Sequence, residues 1–308
     1  MSGRTGSGGR RGRAPEAADV EVSRPDKVLW PALEITKRRY VDYLGAVAPN
    51  MLHWLRDRPL TLVRAPDGVG GERYFQKAAP TYAPPWIRTV TIAAPSAKRD
   101  IAYVVCDDAA TLAWLGNQAA LEFHPAPVRA DRLDRPDLLV VDIDPPEGEF
   151  AAAVEAAGLV LEVLEDLGVA YGVKTTGGKG LHVVTPIERR VDQSELRRAA
   201  ARLTALVAAR RPDLITDEFR KAERRGRVML DPSRNGTGAT LVAPFSPRIR
   251  PEATVSFPLV PAELTSVDPS DFTVATVPEL LGRPGPQRWD ELVGQGRRLP
   301  PELLRGDG

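Results

Sequence analysis

The chain has 308 residues, 43% of them hydrophobic and 27% charged, which is the balance of a water-soluble globular protein with ample core. Lys plus Arg (42) nearly equal Asp plus Glu (41), so net charge alone points to neither a nucleic-acid nor a membrane partner. The single cysteine, Cys106, excludes an intramolecular disulfide and any multi-cysteine zinc site. No apolar run is long enough to span a bilayer and no signal-peptide core is present, so the composition predicts a cytoplasmic protein.

Residues 1–20 are rich in Gly, Ser and Arg without apolar periodicity, which predicts a disordered basic tail carrying Arg4, Arg10, Arg11 and Arg13. Thr36 is placed to cap a helix through Tyr40, Tyr43, Leu44 and Val47, with an end expected before Pro49. LTLVRAPDG and ERYFQKAAP form a predicted hairpin, TVTIAAP and IAYVVCDD two further strands, and DDAATLAWLGNQAAL a helix capped by Asp. The run Leu138 to Ile143 is short, β-branched and followed by two prolines, which predicts a buried strand with an abrupt end. FAAAVEAAGLVLEVLEDLG is a helix stopped by Gly168, YGVKTT and GLHVVTPI are strands joined by a glycine turn, and Gln193 to Arg210 is a second helix. GRVMLDP and ATLVAPF are expected strands around the loop Pro232 to Gly238. From about Pro251 frequent prolines predict a wrapping C-terminal segment. Helices alternating with hairpins imply an α+β fold with at least two sheets.

Asp142 and Asp144 stand two apart at the end of the central strand, so both carboxylates share one face. Two like charges side by side stay ionised readily only when a cation or a hydrogen-bond network compensates them. A divalent metal pair acting on phosphate is one solution; an Asp capping a turn before Pro145 is the plainer alternative. Asp231 repeats the layout, ending an apolar run before a proline, and is either a turn-forming Asp-Pro or the third carboxylate that two ions need. In KTTGGKGLHV the glycines permit a tight turn with exposed N–H groups, and Lys179 adds a mobile charge suited to phosphate. The spacing is not that of a Walker A loop, because Gly178 stands where that loop needs Lys. His182 follows the turn, and Arg234 and Arg248 lie in loops beside Asp231, where bidentate contacts could clamp a triphosphate. The basic run from Arg220 to Arg227 is either a DNA-binding patch or a solvated loop face.

The order VVDIDPP, helix, KTTGGKGLHVVTP, RVMLDPSRN and TLVAPFSPR resembles the archaeo-eukaryotic primase-polymerase superfamily, and within it the polymerase domain of bacterial ligase D and its stand-alone relatives. The resemblance runs from about Pro25 to Val277 and includes RPDKVLWP, GERYFQKAAP and ALEFHP. It implies one catalytic domain over residues 21–308, with an RRM-like catalytic sheet and a second β-sheet flanked by helices. It further implies two manganese or magnesium ions held by Asp142, Asp144 and Asp231. His124, Thr176, Lys179, His182, Arg234 and Arg248 would contact the incoming nucleotide, and Phe75 would stack on a base. Lys27 and Lys37 match lysines that grip a 5′-phosphate across a DNA gap or break. Two departures are visible: Thr176 stands where Ser is usual, and Pro232–Ser233 where an aromatic and Leu are usual.

The implied activity is template-directed nucleotidyl transfer with NTP or dNTP, preferring manganese and ribonucleotides, at gaps and ends in bacterial non-homologous end joining. Implied partners are gapped or broken DNA with a 5′-phosphate, the Ku protein and an ATP-dependent DNA ligase. The protein would be a nucleoid-associated monomer that dimerises only across DNA ends. A catalytically weak end-bridging module that keeps only the 5′-phosphate site is the rival suggested by Pro232–Ser233. A metal-dependent phosphohydrolase is another, separable because it releases phosphate or monophosphate in place of pyrophosphate.

Overall fold

A computed structural model describes residues 14–94 and 99–304. The arginines at 4, 10, 11 and 13 of the expected tail lie outside the described residues. Within 14–20 the chain makes a single 3-10 turn at Ala17–Asp19, and Val20 and Val22 then pack on Val41 and Ala113.

The elements run in the order β1 (Val28–Trp30), β2 (Ile35–Thr36), α1 (Lys37–Leu55), β3 (Pro59–Arg64), β4 (Tyr74–Gln76), β5 (Arg88–Ala94), β6 (Arg99–Val105), α2 (Ala109–Asn117), β7 (Ala120–Pro125), β8 (Val128–Arg129) and β9 (Arg132–Pro136). They continue with β10 (Leu138–Asp144), α3 (Phe150–Asp166), β11 (Gly172–Thr175), β12 (Leu181–Pro186), α4 (Gln193–Arg210), β13 (Ile215–Thr216), β14 (Val228–Asp231), β15 (Pro258–Leu259), α5 (Val277–Leu280), α6 (Pro284–Leu292) and α7 (Pro301–Leu304). A six-stranded sheet has the order β13-β14-β10-β12-β11-β15. A five-stranded sheet has the order β4-β3-β6-β5, with β7 also paired to β3. This is the mixed α+β architecture with two main sheets that the sequence implies.

Local signals set most boundaries. Thr36 accepts from Arg39 N and starts α1, Asp108 accepts from Thr111 N and starts α2, and Asp192 with Glu195 forms a capping box at α4. Three expectations need correction. Helix α1 does not stop before Pro49 but runs through it to Leu55, because Met51, Leu52, Trp54 and Leu55 beyond the proline are buried. Packing of that face outweighs one lost backbone bond. Helix α2 ends at Asn117, and Ala119 turns with φ 54° into β7, so the residues from Ala120 on belong to a strand. ATLVAPF is not a strand: Leu241 and Ala243 donate to Pro125 and Phe123 of β7, but Pro244 breaks any continuous ladder.

The two faces of the six-stranded sheet differ. Val141, Ile143, Val173, Leu181, Val183 and Leu230 enter the main core with the small-residue face of α3. On the other face Leu138, Val140 and Val184 pack with Trp54, Leu241 and Trp289. Two residues further along that same face of β10 come Asp142 and then Asp144. The apolar end anchors the strand, and the acidic end reaches an open cleft. Among the described residues no helix is long and apolar enough to cross a membrane.

Candidate active site

The cleft, about 360 Å³, is lined by Asp142, Asp144 and Asp231 together with His124, Thr176, Lys179, His182, Arg224, Arg234 and Arg248. Register builds its floor. Asp142 pairs with Asp231 across β10–β14 and with His182 across β10–β12, and His182 in turn pairs with Lys174 across β11–β12. Asp231, Asp142, His182 and Lys174 thus form one row across four neighbouring strands on one face.

Like charges directly opposite each other in a sheet repel. Here basic side chains compensate them. Arg234 Nε lies 2.8 Å from Asp142 Oδ2 and 3.8 Å from Asp231 Oδ2. Asp144 is held by Lys179 Nζ at 3.0 Å and Arg224 Nη1 at 2.7 Å. Asp231 Oδ1 accepts Ser233 N at 2.8 Å, fixed by the 3-10 turn Pro232–Asn235. The Asn235 side chain of that turn bonds both N and O of Val140, continuing the edge of β10 where β14 has ended. Burial alone would raise the Asp142 carboxyl, but His182 and Arg234 outweigh it and hold the group well below the usual carboxylate range. Burial, reinforced by Lys174, pushes His182 down to about 4, so its imidazole is neutral at pH 7, with Nε2 3.3 Å from Asp142 Oδ1.

Among the described residues no group of three or more His, Cys, Asp or Glu side chains is drawn together as a ready-made metal cage. Oxygens of Asp142 and Asp144 are turned onto Arg234, Arg224 and Lys179, and Asp231 Oδ1 is taken by the Ser233 amide. The donor set nevertheless fits a hard divalent cation, being all carboxylate oxygen at adjacent strand ends. Its present counter-ions are the ends of long flexible side chains that can move to an anionic ligand.

The turn beside the aspartates is tightly built. Thr176 Oγ1 lies 3.0 Å from Gly180 O and accepts from the amides of Gly178 and Gly180. A Cβ on Gly180 would lie 2.1 Å from the carbonyl oxygen of Ile143, so only glycine lets the turn rest on the end of β10. Lys179 also donates to Pro145 O. Lys174 is wholly buried, with Nζ 2.6 Å from Ser256 Oγ, and burial holds its ammonium well below the ordinary lysine range.

Not all candidate residues converge here. Phe75 lies on β4, is 80% exposed and is outside the cleft. Lys27 and Lys37 line a separate cavity of about 340 Å³ with Arg24, Arg64 and Asn117. Lys37 is buried and rests near Ser23 Oγ and Asn117 Oδ1, while Lys27 pairs with Asp67 at 2.7 Å. Burial, and then the charges of Lys27 and Arg24, lower the Lys37 ammonium, the signature of a crowded positive site. Arg24, Arg64 and Arg224 are basic residues of these two sites that the sequence reading did not single out. Arg224 was hidden within the basic run from Arg220 to Arg227. A larger cavity, about 570 Å³, opens at the other end of β10 beside Leu138. Its acids Asp137 and Glu188 face arginines as well, but among the described residues its lining holds no pair of aspartates facing each other across a strand ladder as Asp142 and Asp231 do.

Comparison with known proteins identifies the family of the chain. Residues 36–288 match the family model described as LigD, primase-polymerase domain. The multifunctional non-homologous end joining protein LigD of Pseudomonas aeruginosa is 31% identical over 291 residues, 94% of this chain and 34% of that protein. The bifunctional LigD of Bacillus subtilis is 31% identical over 274 residues, 88% of this chain and 44% of that protein. The chain therefore spans about a third to under half the length of these relatives. The polymerase domain from Mycobacterium tuberculosis ligase D, solved in complex with DNA, superposes with a TM-score of 0.80 at 34% identity, covering 86% of this chain and 95% of that one. The chain belongs to the LigD primase-polymerase domain family.

Proposed function

We propose that this protein is a template-directed nucleotidyltransferase that fills short gaps and extends DNA ends in bacterial non-homologous end joining. The observation that carries the reading is the row of Asp231, Asp142 and His182 in one sheet register, ringed by basic side chains that end in a single cleft. Asp142, Asp144 and Asp231 would hold two divalent ions, manganese by preference. Bound there, such ions neutralise charge around the primer 3′-hydroxyl and the departing pyrophosphate.

The chain's own residues do the positioning. Arg234, Arg224 and Lys179 leave the carboxylates and take up triphosphate oxygens, exchanging one set of ion pairs for another. His182, being neutral, would meet the ligand without adding charge. Thr176 would contact the nucleotide from the turn that it braces through its bonds to Gly178 and Gly180, and His124 and Arg248 close the cleft from the β7 side. Phe75, exposed on β4, would stack on a base outside the cleft. Lys27 and Lys37, with Arg24 and Arg64, would take the 5′-phosphate on the far side of a gap. Ribonucleotides, Ku and an ATP-dependent ligase are the substrate and partners consistent with the family. A 5′-phosphorylated gapped duplex, manganese and single NTPs test the reading. Templated extension by the wild type, lost in Asp142→Ala, supports it; no extension by the wild type sinks it.

A further inference from the structure

Glu122 is a buried carboxylate that lines neither basic cavity and has no part in the mechanism above. It lies on β7 opposite Val63 of β3, two residues before His124, so both side chains leave the strand on one face. Leu121 and Phe123, on the other face, are fully buried. Two hydrogen bonds and one ion pair converge on its two oxygens. His124 Nε2 lies 2.9 Å from Oε2, Ile249 N donates to Oε1 at 2.9 Å, and Arg248 Nε stands 3.1 Å from Oε1. The Arg248 contact is an ion pair whose N–H does not point along the line of centres.

The other end of Arg248 donates from Nη1 to Thr176 O at 3.1 Å, and its stem lies over Gly177, where an added Cβ would come within 2.8 Å of Cγ. The guanidinium is thus spanned between the five-stranded sheet and the glycine turn of the six-stranded one. We propose that Glu122 is a positioning residue of the nucleotide cleft, fixing His124 and Arg248 in place before a triphosphate arrives. The inference rests on reading the cleft as the nucleotide site. Its physical basis is preorganisation. Without Glu122 the half-buried guanidinium of Arg248 would lose its anionic partner and the His124 imidazole its acceptor. Both cleft-lining groups would then have to be ordered by the ligand at the ligand's expense.

Single-nucleotide gap filling across a range of NTP concentrations tests this on wild type, Glu122→Gln and Glu122→Asp. Glu122→Gln keeps the shape and removes the charge. The expected result is a KM for NTP raised by about tenfold or more, the loss of a charge-assisted contact, with kcat and the KM for DNA within about twofold. Glu122→Asp restores part of the loss. The chain has three histidines, so the His124 imidazole resonance can be followed directly. It should move in Glu122→Gln while that of His53 stays in place. Titration with magnesium and inorganic tripolyphosphate should shift the His124 resonance at lower concentration in wild type than in Glu122→Gln. An unchanged NTP KM in Glu122→Gln overturns the proposal, as does a lowered melting temperature with the His124 resonance unmoved. If the wild type adds no nucleotide, the polymerase reading fails. The tripolyphosphate titration then decides on Glu122 alone.

Discussion

Asp142 and Asp231 face each other directly across the β10–β14 ladder, and Arg234 Nε reaches both carboxylates. Two aspartates in that position raise the energy of the sheet unless a cation joins them. They hold one charge-neutralising task in common, so they should fail as a unit. Asp142→Asn and Asp231→Asn are each expected to reduce gap filling by roughly 10²–10³-fold, and the double variant to be little worse than either single one. Steady-state rates on one gapped substrate check this; additive losses would show that the two carboxylates act separately.

Arg234 is the cation that now does the joining. Its side chain is 45% exposed, so its guanidinium can swing from the carboxylates toward the open side of the cleft. Arg234→Gln removes a competitor for the carboxylates and also a partner for the triphosphate. Manganese binding without nucleotide, followed by electron paramagnetic resonance, should tighten several-fold while the KM for NTP rises. A variant in which both weaken would place Arg234 among the groups that support the metal ligands.

Much of this frame was legible because it is encoded locally. Asp108, Asp192 and Thr36 announce helix starts by their own side chains, and the β-branched run before Asp142 marks a strand whose last carboxylates must share a face. Pro49 misled because its penalty is local, while the burial of Met51 and Leu55 that overrides it is tertiary. Glu122 and Arg224 carried no local signal. Their partners lie far along the chain, Ile249 being 127 residues from Glu122 and Asp144 80 residues from Arg224. Only the tertiary fold brings them together. The row Asp231–Asp142–His182–Lys174 was half visible: alternation gave the faces, but which strands adjoin was not written in any one segment.

Acid stability follows from Glu122. Its carboxyl is brought from 4.5 down to about 2: burial works against the shift, and His124, Arg248 and the Ile249 amide overcome it. A depressed folded value means that the stabilisation is complete above about 4.5 and is lost as pH falls toward 2. The shift corresponds to on the order of 3 kcal/mol at neutral pH for this nearly buried group. In urea unfolding, wild type should exceed Glu122→Gln in stability at neutral pH, and the two should converge as pH drops through ~4 to ~2. Parallel curves across that range would contradict the ion pairing.

At the far end of β10, Asp137 makes a bidentate pair with Arg58 at 2.6 and 2.7 Å, and Arg58 is 1% exposed. Asp137→Ala would leave that guanidinium buried with its main partner gone, which costs about 3–5 kcal/mol. The urea midpoint should fall accordingly. Replacing Arg58 and Asp137 together by apolar residues of similar volume should recover most of it. Manganese affinity should not change in either variant, because the cleft lies at the opposite end of the strand.

Gly180 and Gly158 separate a glycine required by close approach from one that is merely present. Around Gly158, in the middle of α3, nothing lies within 4 Å of an added Cβ, so Gly158→Ala should stabilise the protein by roughly 0.5–1 kcal/mol. At Gly180 the added Cβ would meet Ile143 O at 2.1 Å, and backbone cannot move aside as a flexible side chain can. Ile143 lies between Asp142 and Asp144, so any retreat of its carbonyl shifts both carboxylates and the turn that carries Lys179. Gly180→Ala should therefore lower the melting temperature and, in whatever fraction folds, weaken manganese binding. A soluble Gly180→Ala variant with wild-type manganese affinity would mean that the turn does not govern the placement of the aspartates.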